Sequence, residues 1–76
     1  MSELVAFVAR SLVENPDAVV VREVEGPESI IVELRVAPED MGKVIGKQGR
    51  IARAIRTVVK ASASRLDLNV IVEISQ

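Results

Sequence analysis

The sequence contains no cysteine, histidine, tryptophan or tyrosine, and phenylalanine occurs once, at Phe7. Without cysteine and histidine, the chain cannot form most catalytic nucleophile–base pairs or the usual zinc sites. We therefore expect that the protein is not an enzyme and has no metal or cofactor site. The lack of cysteine also excludes disulfides and agrees with a reducing cytoplasm, where we expect the protein to act. Without tryptophan and tyrosine, the chain lacks the aromatic platforms on which many proteins stack single-stranded bases.

The sequence also lacks a long apolar run. The longest such segment, residues 4–9, has six residues, whereas a helix that spans a bilayer needs about 20. Glu3 precedes this segment and Arg10 follows it, so the basic region that begins a secretory signal is missing. We therefore expect no contact with a membrane.

The same N-terminal segment predicts an amphipathic helix. Ser2 is a good N-cap, and Asn15-Pro16 ends the helical pattern. Leu4, Phe7, Val8 and Leu12 follow helical spacing, which places Phe7 in the core.

Fourteen valines and seven isoleucines favour a substantial sheet. Residues 19–24 and 30–36 read as two strands joined by the turn residues 25–28, and residues 68–74 alternate as a third strand. In the second strand, the side chains expected to face the core are Ile30, Val32, Leu34 and Val36. A chain of this length buries only about 60% of its unfolded surface, so we expect one domain, residues 1–76.

Two helices are predicted between the second and third strands. Pro38 suits the first turn of a short helix that ends at Gly46, and a basic helix begins after Gly49. The resulting order is α-β-β-α-α-β, an α+β fold with three helices packed on a three-stranded mixed sheet. The hairpin makes the first strand antiparallel to the second, and the helical crossover allows the second and third to be parallel.

Acidic residues are missing from one part of the chain. Residues 41–66 contain seven bases and no acid, whereas the remainder contains three bases and all eleven acids, a net charge of −8. A surface without a binding role normally mixes the two signs. The segregation is typical of a protein with one polyanion-binding face.

Helical spacing divides the basic helix into two faces. The arc expected to lie in the core consists of Ile51, Ala54, Ile55, Val58 and Val59. The opposing arc carries Arg50, Arg53, Arg56 and Lys60. An ordinary solvated face would carry glutamates three or four residues from these bases, and there are none.

Gly46 and Gly49 lie three residues apart where the two predicted helices meet. Glycine accepts a positive φ and, having no Cβ, lets another backbone approach closely. Unpaired N–H groups at a helix start, together with Lys47 and Arg50, would attract phosphate. The alternative is that the glycines only form a turn between two helices.

The run Val44-Ile45-Gly46-Lys47-Gln48-Gly49-Arg50-Ile51-Ala52 resembles the signature of the KH domain, an RNA-binding module whose GxxG loop clamps about four nucleotides. Residues 37–63, and essentially the whole chain, are similar to the KhpA family of small bacterial KH proteins. This resemblance implies the type II, prokaryotic KH topology and a single-stranded RNA ligand. The RNA-binding residues that it implies are Ile45, Gly46, Lys47, Gln48, Gly49, Arg50 and Arg53, with Arg56, Lys60 and Arg65 too far along the helix to be assigned contacts.

The KhpA resemblance further implies a low-specificity RNA chaperone or regulator that forms a homodimer or pairs with the larger KH protein KhpB, also called Jag or EloR. One alternative is a protein-interaction scaffold with incidental RNA affinity, using Ile31 and Ile71 with Val19 or Val21 as an outward apolar patch. The other is a nucleotide-binding enzyme, because residues 42–48 loosely resemble a Walker A loop. That loop needs four residues between its glycines and a hydroxyl after its lysine, and this chain has three residues and Gln48.

Overall fold

The computed structural model describes residues 1–46 and 49–76. Its elements run in the order helix, strand, strand, helix, strand, with a short 3-10 turn at Pro16–Ala18. They are α1 (Ser2–Leu12), β1 (Val20–Glu25), β2 (Ile30–Arg35), α2 (Pro38–Arg65) and β3 (Val70–Ser75).

The three strands form one mixed sheet in the order β1-β2-β3. β1 is antiparallel to β2, and β2 is parallel to β3, so both predicted pairings are confirmed. The hairpin is closed by the Gly26 N–H, which donates to the Ser29 carbonyl at 2.8 Å. Both helices cover the same face of the sheet, with α1 on β1 and α2 on β3. The outer edges of β1 and β3 therefore have no neighbouring strand among the described residues.

The core lies between the helices and the sheet. In β2 the predicted inward residues Val32, Leu34 and Val36 are buried, and Ile30 is half-buried. Helix α2 supplies Val44, Ala52, Ile55 and Val59 to the same cluster. The predicted core arc of this helix is right for Ile55 and Val59, but Ala54 is exposed and Ala52 is buried instead.

The predicted orientation of α1 is wrong. Phe7 is 70% exposed, and the helix buries Val5, Ala6 and Ala9. Six consecutive apolar residues leave the helical period ambiguous, and small alanine side chains let α1 lie close to the sheet. Ser2 is also not the cap: Met1 occupies that position without a side-chain hydrogen bond.

The two helices predicted between β2 and β3 form one helical segment, α2, which does not end at Gly46. Pro38 lies in its first turn, as predicted. The irregular point is Gly49, whose φ of 67° is left-handed and marks the junction between the two predicted helices. Strand β3 begins at Val70, two residues later than predicted, after Asp67 adopts a φ of 56°.

Asp40 joins the start of α2 to the end of α1. Its carboxylate is buried and accepts hydrogen bonds from the backbone N–H groups of Glu14 and Asn15, each at 3.0 Å, and from the Asn15 side-chain amide at 3.1 Å. Burial alone would raise the pKa of Asp40, but these hydrogen bonds and the nearby Lys43 charge outweigh it, so the pKa lies below its ordinary value of 3.8.

This contact predicts acid sensitivity. Because the pKa of Asp40 is lower in the folded state than in the unfolded state, its stabilising effect is complete above pH 3.8 and is lost as the pH falls through the folded-state pKa. Asp40→Asn should lower the melting temperature at neutral pH. On acidification, the melting temperature of this variant should fall less than that of the unmodified protein. Glu39→Gln, at the exposed neighbouring position, should change neither. The melting temperatures are measured from about pH 2.5 to about pH 7, which includes the range in which carboxylates titrate. Equal melting curves for the two variants would contradict the stabilising role of Asp40.

Candidate nucleic-acid interface

The basic residues of α2 form an exposed row. Arg50, Arg53, Arg56 and Lys60 are all exposed, as the helical spacing predicts. Within the described residues, none of these four has an acidic group within ion-pair distance, whereas Lys43 pairs with Glu14. Four unpaired charges on one helix face leave their hydrogen-bonding capacity free for a ligand.

The buried side of α2 fixes the direction of this row. Ala52, Ile55, Val59 and Ala63 are 1–6% exposed and recur three or four residues apart. Because this stripe packs on the sheet, the opposite side of the helix, which carries the four bases, must point to solvent. The row of positive charge is thus held in place by the hydrophobic core.

The GxxG segment lies where the basic row begins. Gly49 has the left-handed φ that glycine favours, but Gly46 does not. A Cβ built on either glycine would meet no atom of the described residues within 4 Å, its chain neighbours and the backbone of its own helix apart. The surface beside both glycines is therefore accessible to a ligand backbone. Lys47 and Gln48, predicted as the centre of the clamp, lie outside the described residues.

A shallow hollow of about 390 Å³ adjoins the first glycine and is lined by Gly42, Lys43, Gly46, Arg50 and Ile51. It brings together two of the predicted site residues, Gly46 and Arg50, with Lys43, which was not among the predicted RNA-binding residues. Ile45, predicted to line a groove, is 59% exposed and outside this hollow, whereas the half-buried Ile51 lines it.

A larger groove of about 600 Å³ runs between the second half of α2 and β3. We call it the α2–β3 groove. Arg56 and Lys60 lie on its helical wall, and Val70, Ile71 and Val72 on its strand wall. No RNA contact was predicted for these two bases. They line the groove because the parallel crossover packs α2 beside β3, and the pattern of α2 alone does not show this neighbour.

The strand wall offers backbone hydrogen-bonding groups. The Ile30 N–H donates to the Asn69 carbonyl and the Val36 N–H donates to the Ser75 carbonyl. In a parallel pair, the residues that bond the neighbouring strand alternate with residues whose N–H and C=O point the other way. Those of Val70 and Val72 therefore point to the free edge, beside the groove.

The sheet face away from the helices carries one apolar row. Val24 pairs with Ile31, and Ile31 pairs with Ile71, so the three side chains cross the sheet together. Val24 is 40% and Ile71 is 47% exposed. Ile31 and Ile71 agree with the predicted patch. Val19 does not, because it is buried, and Val21 lies on the helix-covered face.

No helix of the described residues is long and apolar enough to cross a membrane. In the same part of the chain, no three acidic, histidine or cysteine side chains are grouped so that they could hold a metal ion.

Comparison with known proteins gives a full-length match. The family model for the KH domain of KhpA/KhpB matches residues 2–74. The RNA-binding protein KhpA of Caldanaerobacter subterraneus is 68% identical, covering 97% of this chain and 99% of the relative. KhpA of Clostridium perfringens is 66% identical over the same shares, and KhpA of Aquifex aeolicus is 47% identical over 97% and 94%. No solved structure matches this chain.

Proposed function

Because the chain belongs to the KhpA/KhpB family of KH domains, a non-enzymatic family, we propose that it binds single-stranded RNA as one domain, residues 1–76. The observation that carries this proposal is the exposed row of unpaired bases on α2, which runs from the GxxG segment into a groove with a free strand edge. We place this activity in the cytoplasm.

The phosphates are held at the start of the basic row. Residues 46–49 form the clamp, since glycines without a Cβ let the sugar–phosphate backbone approach closely. Arg50 and Arg53 donate charge-assisted hydrogen bonds to the phosphate oxygens. Lys43 lines the same hollow, where its pairing with Glu14 holds the side chain in place and offsets its charge. Ile45, exposed beside the clamp, offers apolar surface to a base.

The bases lie in the α2–β3 groove. Ala63, Val70 and Val72 provide an apolar lining, and the free N–H and C=O groups of Val70 and Val72 can hydrogen-bond to base edges. Every base carries donors and acceptors, so this backbone contact discriminates weakly. With no tryptophan or tyrosine for stacking, the protein should act as a low-specificity RNA chaperone or regulator.

Self-association complements this weak binding. A homodimer, or a complex with a KhpB partner, gains avidity when one RNA reaches two clamps. The apolar row Val24, Ile31 and Ile71 supports such an interface on the sheet, and the exposed Phe7 supports one on α1. The same surfaces favour the second candidate function, a protein-interaction scaffold with incidental RNA affinity.

Salt dependence tests the RNA proposal. Binding of single strands weakens with a log–log salt slope of about −0.7 per neutralised phosphate. Two or three phosphates neutralised by Lys47, Arg50 and Arg53 would give a slope of about −1.4 to −2.1. Arg53→Ala should reduce its magnitude by about 0.7, measured by fluorescence anisotropy with short RNA oligomers.

The matched control is Arg22→Ala. Arg22 is exposed on the hairpin and bonds to Glu33 at 2.9 Å, so its removal should leave the slope unchanged. Purine and pyrimidine homopolymers should differ by less than the effect of salt. A slope near zero, or the same loss from both variants, would favour the scaffold function instead.

A further inference from the structure

Three acids lie together at one end of the molecule. Glu25 and Glu28 belong to the hairpin turn, and Asp67 belongs to the loop between α2 and β3. All three line a hollow of about 330 Å³ that also includes Leu68 and Asn69. We call Glu25, Glu28 and Asp67 the acidic tip.

The acidic tip adjoins the α2–β3 groove, because Leu68 and Asn69 line both depressions. Asp67 directly precedes Leu68, and consecutive Cα atoms are about 3.8 Å apart. Because the aspartate side chain is short, its carboxylate lies within the screening length of about 8 Å at physiological ionic strength of this end of the groove. A phosphate placed at this end of the groove would therefore be repelled by the tip.

The three acids are exposed and, among the described residues, make no ion pair or side-chain hydrogen bond. Arg65 lies two residues before Asp67 and offsets one of the charges. The local structure does not require the carboxylates. The turn is closed by backbone atoms of Gly26 and Ser29, and asparagine tolerates the left-handed φ of Asp67 at least as well as aspartate.

Charge thus changes sign along the groove, from Arg56 and Lys60 on its helical wall to the acidic tip beyond Asn69. We propose that the acidic tip ends the RNA track: it limits the bound segment to about the four nucleotides of the clamp and turns longer RNA away from the hairpin. This inference rests on the proposed RNA-binding function.

The test removes the three charges with near-isosteric amides, in a variant carrying Glu25→Gln, Glu28→Gln and Asp67→Asn. Its control carries Glu3→Gln, Asp17→Asn and Glu73→Gln, three exposed acids outside both depressions. Affinities for a short RNA of about four nucleotides and a long one of about twelve are measured by NMR titration, and melting curves confirm that both variants fold.

For the short RNA, the tip variant should bind within about twofold of the unmodified protein, because the phosphates lie at the clamp. For the long RNA, it should bind about three- to tenfold more tightly, with a salt slope steeper by about 0.7 for each added phosphate contact. RNA-induced shifts of backbone amides should extend to Gly26, Glu28 and Ser29 in the hairpin turn. Glu28→Gln alone should act in the same direction, and the control variant should match the unmodified protein with both RNAs.

The outcomes separate the two proposals. If the unmodified protein binds RNA with the expected salt slope but the tip variant has the same length dependence, the acidic boundary is overturned and the RNA-binding function stands. If the unmodified protein binds neither RNA, the proposed function fails and the boundary fails with it.

Discussion

Replacing Lys47 and Gln48 together by aspartate should eliminate measurable RNA binding. Both positions lie between the clamp glycines in the sequence, so the change converts one positive charge into two negative charges beside the expected phosphate. Like charges brought together at an interface cost several kcal/mol, and a loss of about 2.8 kcal/mol weakens binding about a hundredfold. Anisotropy titration with a short single-stranded RNA measures the loss.

The control for this variant makes the same substitutions elsewhere. Arg35 lies exposed on the sheet face away from the helices, and Gln76 is the exposed last residue. Arg35→Asp with Gln76→Asp changes the net charge equally and should weaken binding by less than about threefold, since neither residue lines the hollow beside Gly46 or the α2–β3 groove. If both variants bound alike, or if Lys47→Asp with Gln48→Asp bound within about twofold of the unmodified protein, the clamp assignment would be wrong.

Gly46→Ala should stabilise the protein and weaken its binding to RNA. Gly46 lies within α2 and has no positive φ, and a Cβ built on it meets no side chain or neighbouring element among the described residues within 4 Å. Alanine is more favourable than glycine in a helix interior by about 0.8–1.0 kcal/mol, so the free energy of unfolding should rise. The added methyl group should occupy the space where the RNA backbone approaches, weakening binding about tenfold, which corresponds to about 1.4 kcal/mol.

Gly42→Ala provides the comparison. Gly42 lies in the same helix one turn earlier, outside the predicted clamp, and a Cβ there also meets open space. This variant should gain similar stability and keep most of its RNA affinity. Chemical denaturation and anisotropy titration measure the two effects separately. A stabilised Gly46→Ala protein with undiminished affinity would show that this glycine serves the helix junction and not the ligand.

Gly49 should behave differently from both. Its φ of 67° is a conformation that costs an L residue with a Cβ about 1–2 kcal/mol. In the free protein, the fold therefore requires glycine at only one of the two positions of the motif. Gly49 meets a backbone requirement that the fold imposes, whereas the free fold does not explain Gly46.

The sequence by itself determined the elements whose signals are local. The alternation in β2 specifies its buried face, because adjacent strand residues must point to opposite sides of the sheet. The spacing of Arg50, Arg53, Arg56 and Lys60 against Ile55 and Val59 specifies a basic helix face opposite an apolar one. The hairpin is also local, and it makes β1 antiparallel to β2, whereas the longer helical crossover allows a parallel β3.

Tertiary structure decided what depends on contacts between distant segments. The apolar N-terminal segment allows several helical faces to be buried, and packing against the sheet selected Val5, Ala6 and Ala9 and left Phe7 exposed. Asp40 could be recognised as the buried partner of Glu14 and Asn15 only when α1 and α2 met. The α2–β3 groove likewise exists because the parallel crossover packs α2 beside β3, the strand that follows it in the chain. Helical and strand periods describe the faces of single elements, whereas a groove requires the position of one element relative to another, and only the folded core sets that position.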